Sequence, residues 1–145
     1  MLKQHILVVY IKIVIRMPVV ELLARRIEKI RDLDPELLLV DIIILLWLYA
    51  SPYESKKRYL PSIKRVLRHV SMFQLPDGKP MLNDHEMTNL VMKSLRKLKK
   101  QGYIKLLSIG PIYVRAHLTQ KGVNFVQENL SEAALEFLEE YGHLK

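Results

Sequence analysis

Cysteine is absent from the 145 residues. That excludes a disulfide framework and any thiolate metal site, and it fits a reducing cytoplasm, where the chain is expected to work. Glycine is scarce, with five residues scattered at turn positions, so no glycine-rich loop is present to cradle a phosphate. The five histidines, His5, His69, His85, His117 and His143, share no ligand spacing. His85-Glu86 opens as a zinc-protease motif does, but Asn89 stands where the second histidine should be. No metal or cofactor is expected, and no local Ser, His and Asp set suggests an enzyme. A membrane-length apolar run is missing too. The stretch Leu37 to Ala50 contains Asp41 and falls short of the roughly 20 residues that a spanning helix needs. The apolar opening from Met1 to Arg16 begins as a signal peptide does, but Lys12 interrupts it. Met17-Pro18-Val19 then offers no small-residue cleavage site. No membrane partner is expected.

What is present suits one domain with a core of its own. Half of the residues are hydrophobic, and the formal net charge is +8. The charge is unevenly placed. Between Lys56 and Lys121 lie fifteen basic residues against Asp77, Asp84 and Glu86, while the rest of the chain holds eight basic and twelve acidic residues. A basic centre between neutral-to-acidic ends points to a surface that faces a polyanion, with a generally basic, solvated surface as the plainer alternative.

Periodicity outlines the elements. Residues 1–16 stand apart. They are either a β-like extension, with Ile6, Val8, Tyr10 and Lys12 at alternate positions, or upstream sequence with Met17 as the natural start. Pro18 opens a helical pattern that places Leu22, Leu23, Ile27, Ile30 and Leu33 near one face. Asp34-Pro35-Glu36 reads as the start of a second helix, reaching about Ala50 and apolar all round, hence central and buried. Trp47 belongs to that core. After the polar stretch Glu54 to Arg58, a third helix begins at Pro61, with Ile63, Val66, Leu67 and Val70 facing in and Lys64, Arg65 and Arg68 facing out. Leu75 to Pro80 is a loop. Asn83 and Glu86 form a capping box for a helix running to Gln101, and Gly102 is its natural C′ residue. The period then changes, and Tyr103 to Leu118 reads as a hairpin. A helix over 120–129 follows, and Ser131-Glu132 starts a last one with Ala134, Leu135 and Leu138 as its apolar stripe. The fold class is α+β, mostly helical.

The helix from Asp84 to Gln101 is the most informative segment. At about 100° per residue, Met87, Leu90, Val91, Leu95 and Leu98 share one side. His85, Asn89, Met92, Lys93, Arg96 and Lys100 lie opposite, with Thr88, Lys97 and Lys99 on the flanks. Such a helix fits the major groove, where asparagine can pair with adenine and arginine or lysine with guanine. Lysines toward its end suit phosphates, which position a protein without reading sequence.

Leu95-x-x-Leu98-x-x-Gln101-Gly102-Tyr103-Ile104, then a hairpin, then Leu118-Thr119-Gln120-Lys121-Gly122, resembles the winged-helix regulators of the multiple-antibiotic-resistance regulator type. The resemblance spans about Met87 to Val126. It implies a single winged-helix domain over 17–145, with a DNA-binding core over 34–122, a short antiparallel hairpin as the wing, and extra N- and C-terminal helices. It also implies that Thr88, Asn89, Met92, Lys93 and Arg96 form the base-reading side, with Lys105 and Arg115 on the wing strands. Lys64, Arg65, Arg68, Lys97, Lys99 and Lys100 complete the expected DNA-binding set. Two features depart from the family pattern. Ser108 to Ile112, the wing tip, carries no arginine or lysine, and the Gln74–Leu82 connection is long enough to host a small extra hairpin. Segments 17–33 and 123–141 are the candidate dimerisation helices, through Leu22, Leu23, Ile27, Ile30, Leu135 and Leu138.

The expected function is sequence-specific double-stranded DNA binding by a homodimeric transcription regulator. The alternatives are a protein–protein interaction module, which the uncharged wing tip favours, and non-specific nucleic-acid or chromatin binding. The sequence names no small-molecule effector.

Overall fold

A computed structural model describes residues 18–109 and 113–144. The readings of residues 1–16 and of the hairpin tip at 110–112 lie outside the described residues. The described residues are α+β and mostly helical, with seven α-helices and a three-stranded antiparallel sheet among them.

The expected first helix is two short ones, α1 (Val19–Arg25) and α2 (Ile27–Leu33). They break at Arg26, where φ −102° and ψ 4° leave helical geometry. The break turns Leu33 outward to 60% exposure, while Val19, Val20, Leu23 and Ile30 are buried. The next helix also begins later than its sequence signal. Asp34-Pro35-Glu36 forms a turn, in which the Asp34 carboxylate accepts the Glu36 N–H at 3.1 Å, and α3 spans Leu39–Tyr49. Asp41 caps it by accepting the Leu38 N–H at 2.8 Å. Every residue from Val40 to Leu48 is buried, as expected of a helix without a polar face. The Trp47 indole N–H donates to the Ser62 hydroxyl at 3.0 Å.

The polar stretch after α3 contains a strand that its sequence pattern did not show, β1 (Lys57–Tyr59). It leads directly into α4 (Leu60–His69), which buries Leu60, Ile63, Val66 and Leu67. A short 3-10 turn at Ser71–Phe73 follows. The long connection then folds back through a bridge between Gln74 and Pro80, with the Met81 N–H donating to the Phe73 carbonyl at 2.8 Å. Helix α5 (Asp84–Lys100) has the expected capping box: Asn83 accepts from Glu86 N–H at 2.8 Å, and Glu86 accepts from Asn83 N–H at 3.0 Å. Gly102 ends it at φ +85°, a conformation that favours glycine.

The expected hairpin is present as β2 (Ile104–Ile109) and β3 (Tyr113–Leu118), antiparallel, with Ile104 opposite Leu118. The sheet order is β1-β3-β2, and β1 pairs Arg58 with Ala116. Ile104, Val114, Ala116 and Arg58 are buried, whereas Lys105, Leu107, Ile109 and Tyr113 are exposed. Helices α6 (Gln120–Asn129) and α7 (Ser131–Tyr141) complete the chain. The buried stripe of α7 is Ala133, Ala134, Phe137 and Tyr141, not the expected Ala134, Leu135 and Leu138. Leu135 and Leu138 are 69% and 47% exposed. Glu140 of α7 accepts the Val19 N–H at 2.9 Å, so α1 and α7 meet.

Leu118-Thr119-Gln120-Lys121-Gly122 has a mechanical role. The Thr119 hydroxyl caps α6 by accepting the Gly122 N–H at 3.2 Å, and the Lys121 ammonium donates to the Gln101 carbonyl at 2.6 Å. A Cβ on Gly122 would collide with the Tyr103 carbonyl and come within 2.9 Å of the Leu118 Cγ. The motif thereby clamps the foot of the hairpin to the end of α5.

Candidate nucleic-acid interface

Helix α5 is held from both ends by ion pairs. Near its start, Asp84 accepts from Lys64 at 3.0 Å and from Arg68 at hydrogen-bond distance, both reaching over from α4. Lys64 also donates to the Thr88 hydroxyl at 3.2 Å. Hydrogen bonding to Lys64, and then its charge, hold the Asp84 carboxyl below its ordinary value. Farther along, Lys97 pairs with Asp41, which is fully buried at the start of α3, and donates to the Glu36 carbonyl at 3.0 Å. The Ser94 hydroxyl donates to the same Asp41 carboxylate. A buried carboxylate needs such partners, because an unpaired one costs several kcal/mol.

These contacts divide the thirteen residues expected to meet DNA. Lys64, Arg68, Lys97 and Thr88 are engaged inside the chain. Arg65 donates to the Leu144 carbonyl at 3.3 Å. Met92 is half-buried and packs on the core. The outward face of α5 carries five of the others, and the sheet carries Lys105 and Arg115. Asn89, Lys93, Arg96, Lys99 and Lys100 are exposed. Among the described residues, none of the four cations has a carboxylate within ion-pair distance. Asn89 lies 3.3 Å from the His85 imidazole one turn before it.

Lys105 and Arg115 share the outer face of the sheet. Register places Lys57, His117 and Lys105 in one row, and Tyr59, Arg115 and Leu107 in the next. The Arg115 Nε and the His117 Nε2 are buried and, among the described residues, without a hydrogen-bond partner. Burial, and then the neighbouring Arg115 charge, hold the His117 imidazole below its usual value, so near neutral pH it adds no cation to the row. Beyond it the surface turns apolar, with Ile109 75%, Leu107 46% and Tyr113 39% exposed.

Sequence reasoning missed Asp41 and Glu36 as the anchors of α5. A single acid inside the apolar run from Leu37 to Ala50 was the available signal, since a carboxylate there must find a cation. Among the described residues, no cluster of His, Cys, Asp or Glu could hold a metal ion, and no helix is long and apolar enough to cross a membrane.

Compared with known proteins, the chain matches no family model, no curated protein and no solved structure.

Proposed function

We propose that this chain is a winged-helix protein that binds double-stranded DNA sequence-specifically, acting in the cytoplasm as a dimeric, non-enzymatic transcription regulator. Helix α5 lies in the major groove, where its 17 residues span roughly 25 Å. Asn89, Lys93 and Arg96 meet base edges, and Lys99 and Lys100 meet phosphates. The observation that carries this reading is the division of the cations. Lys64 and Arg68 pair with the exposed Asp84 and Lys97 with the buried Asp41, whereas the outward face of α5 keeps four cations unpaired among the described residues. The order α3, β1, α4, α5, β2, β3, with the sheet order β1-β3-β2, supports the winged-helix assignment.

A selection from random duplexes, followed by salt titration, tests it. A recovered consensus bound at least roughly 10³-fold more tightly than random duplex is expected. Equal affinity for every duplex would leave the non-specific nucleic-acid reading. Absence of salt-dependent binding would leave the protein–protein assembly module, which the exposed Leu107, Ile109 and Tyr113 favour.

In the dimeric form, Leu135 supplies the contact with Leu33, because Leu23 and Ile30 are already buried in their own chain, Leu22 and Ile27 are half-covered and Leu138 lines a separate pocket. Leu135→Glu is expected to halve the native mass at micromolar concentration. A wild-type mass of one chain removes the dimer.

A further inference from the structure

Strand β1 turns Arg58 toward the helices. The residue is only 8% exposed, yet among the described residues no carboxylate lies within ion-pair distance of it. Its guanidinium carbon lies 3.7 Å from the Trp47 ring centroid, and its Nε donates to the Trp47 carbonyl at 3.0 Å. Stacking on the ring and one carbonyl acceptor leave the rest of the guanidinium fork without an anion. Burial lowers its pKa, with only the Tyr53 hydroxyl acting in the other direction. A guanidinium nevertheless stays charged at any physiological pH. Among the described residues, the other buried charged side chain is matched: Asp41 has Lys97 and Ser94.

The unmatched arginine opens onto a pocket of about 570 Å³, walled in part by Lys57, Tyr53, Tyr59, Ser62 and Leu138. That volume lies in the usual range for a small-molecule site. Among the described residues, no acidic one lines it. Its polar groups are suited to an anion: the Arg58 fork, the Lys57 ammonium (4.8 Å from the Tyr53 ring centroid), and the Ser62 hydroxyl, which accepts from Trp47 and keeps its own hydrogen to donate. Leu138, 47% exposed, offers an apolar wall at the side of the last helix. A cation largely held out of water is matched best by an anion of good geometry, and a planar fork matches carboxylate and phosphate oxygens bidentately.

We infer that this pocket binds a small organic anion, with its carboxylate or phosphate head on Arg58 and its apolar body against Leu138. The inference does not rest on the DNA-binding reading.

Trp47 is the one tryptophan in the chain, so its emission reports directly on the group stacked against it. The test titrates the full chain at constant ionic strength with octanoate, octyl phosphate and the neutral octan-1-ol. A saturable change in emission with either anion, at least roughly tenfold tighter than with the alcohol, is expected, and the tighter anion names the head group. Arg58→Met should abolish that preference, and Arg58→Lys should weaken binding by roughly tenfold, since an ammonium cannot pair bidentately. Leu138→Glu, a change at an exposed position, keeps the test sound where Arg58→Met does not fold; its carboxylate at the pocket wall should weaken both anions by roughly tenfold. Emission unmoved by both anions overturns the inference. So does equal affinity for octanol and octanoate, or a folded Arg58→Met chain that binds the anions as the wild type does.

Discussion

At the junction of α4 with α5, Lys64 and Arg68 close on Asp84, and toward the end of α5 Lys97 closes on the buried Asp41. On the outward face of the same helix, Lys93, Arg96, Lys99 and Lys100 have no carboxylate partner among the described residues. Both regions read alike in the sequence, as lysine and arginine at helical spacing. They differ in what the fold brings opposite them. A cation paired with an acid of its own chain is part of the scaffold, and one facing only water is available to a polyanion. The basic centre of this chain therefore has two parts, and mutations in the two should fail differently.

The largest effect belongs to the scaffold set. Lys97→Met leaves Asp41 buried without its counter-charge, which should cost about 3 kcal/mol of stability in urea unfolding. Adding Asp41→Asn should recover part of that stability, because the stranded charge is then gone. In the outward set, Arg96→Ala or Asn89→Ala should leave the unfolding midpoint unchanged. Either should weaken the preferred duplex by about 1–3 kcal/mol and random DNA much less, as read in competition binding. Uniform weakening would make α5 an electrostatic rail. The smallest effect lies at Asp84. Its pKa is depressed in the folded chain, so its contribution to stability is present above the unfolded carboxylate value, near pH 4, and is lost as pH falls through the folded value. Asp84→Asn should flatten the acid limb of a stability–pH curve while slightly lowering stability at pH 7.

Much of the fold was legible in local chemistry. The Asn83–Glu86 box, the Gly102 stop and the change of period after it marked α5 and the hairpin, because each signal acts within a few residues. The all-apolar run announced a central helix, although it starts at Leu39 because Asp34 and Pro35 were used for a turn before it. Strand β1 was illegible. Three residues show no period, and its partner Ala116 lies 58 residues beyond Arg58. The break at Arg26 carried no glycine or proline to announce it. For the candidate site, periodicity separated the outward face of α5 except at Met92, which packs on the core, but it gave no hint that Asp84 and Asp41 would take Lys64, Arg68 and Lys97. Those pairings depend on how α3 and α4 cross α5, which only the packed structure shows. The exposure of Leu135 and Leu138 was hidden for the same reason, since Phe137 and Tyr141 took the inward stripe.

The most direct measurement is the slope of log affinity against log salt for one duplex, compared among the wild type, Lys99→Ala/Lys100→Ala and Lys64→Ala. Removing one lysine that neutralises a phosphate should reduce the slope by about 1. The division of cations predicts that the double variant is flatter by about 2 and that Lys64→Ala keeps the wild-type slope. A Lys64→Ala slope reduced as much as that of the outward variants, or a wild type that binds no duplex at any salt concentration, would contradict it.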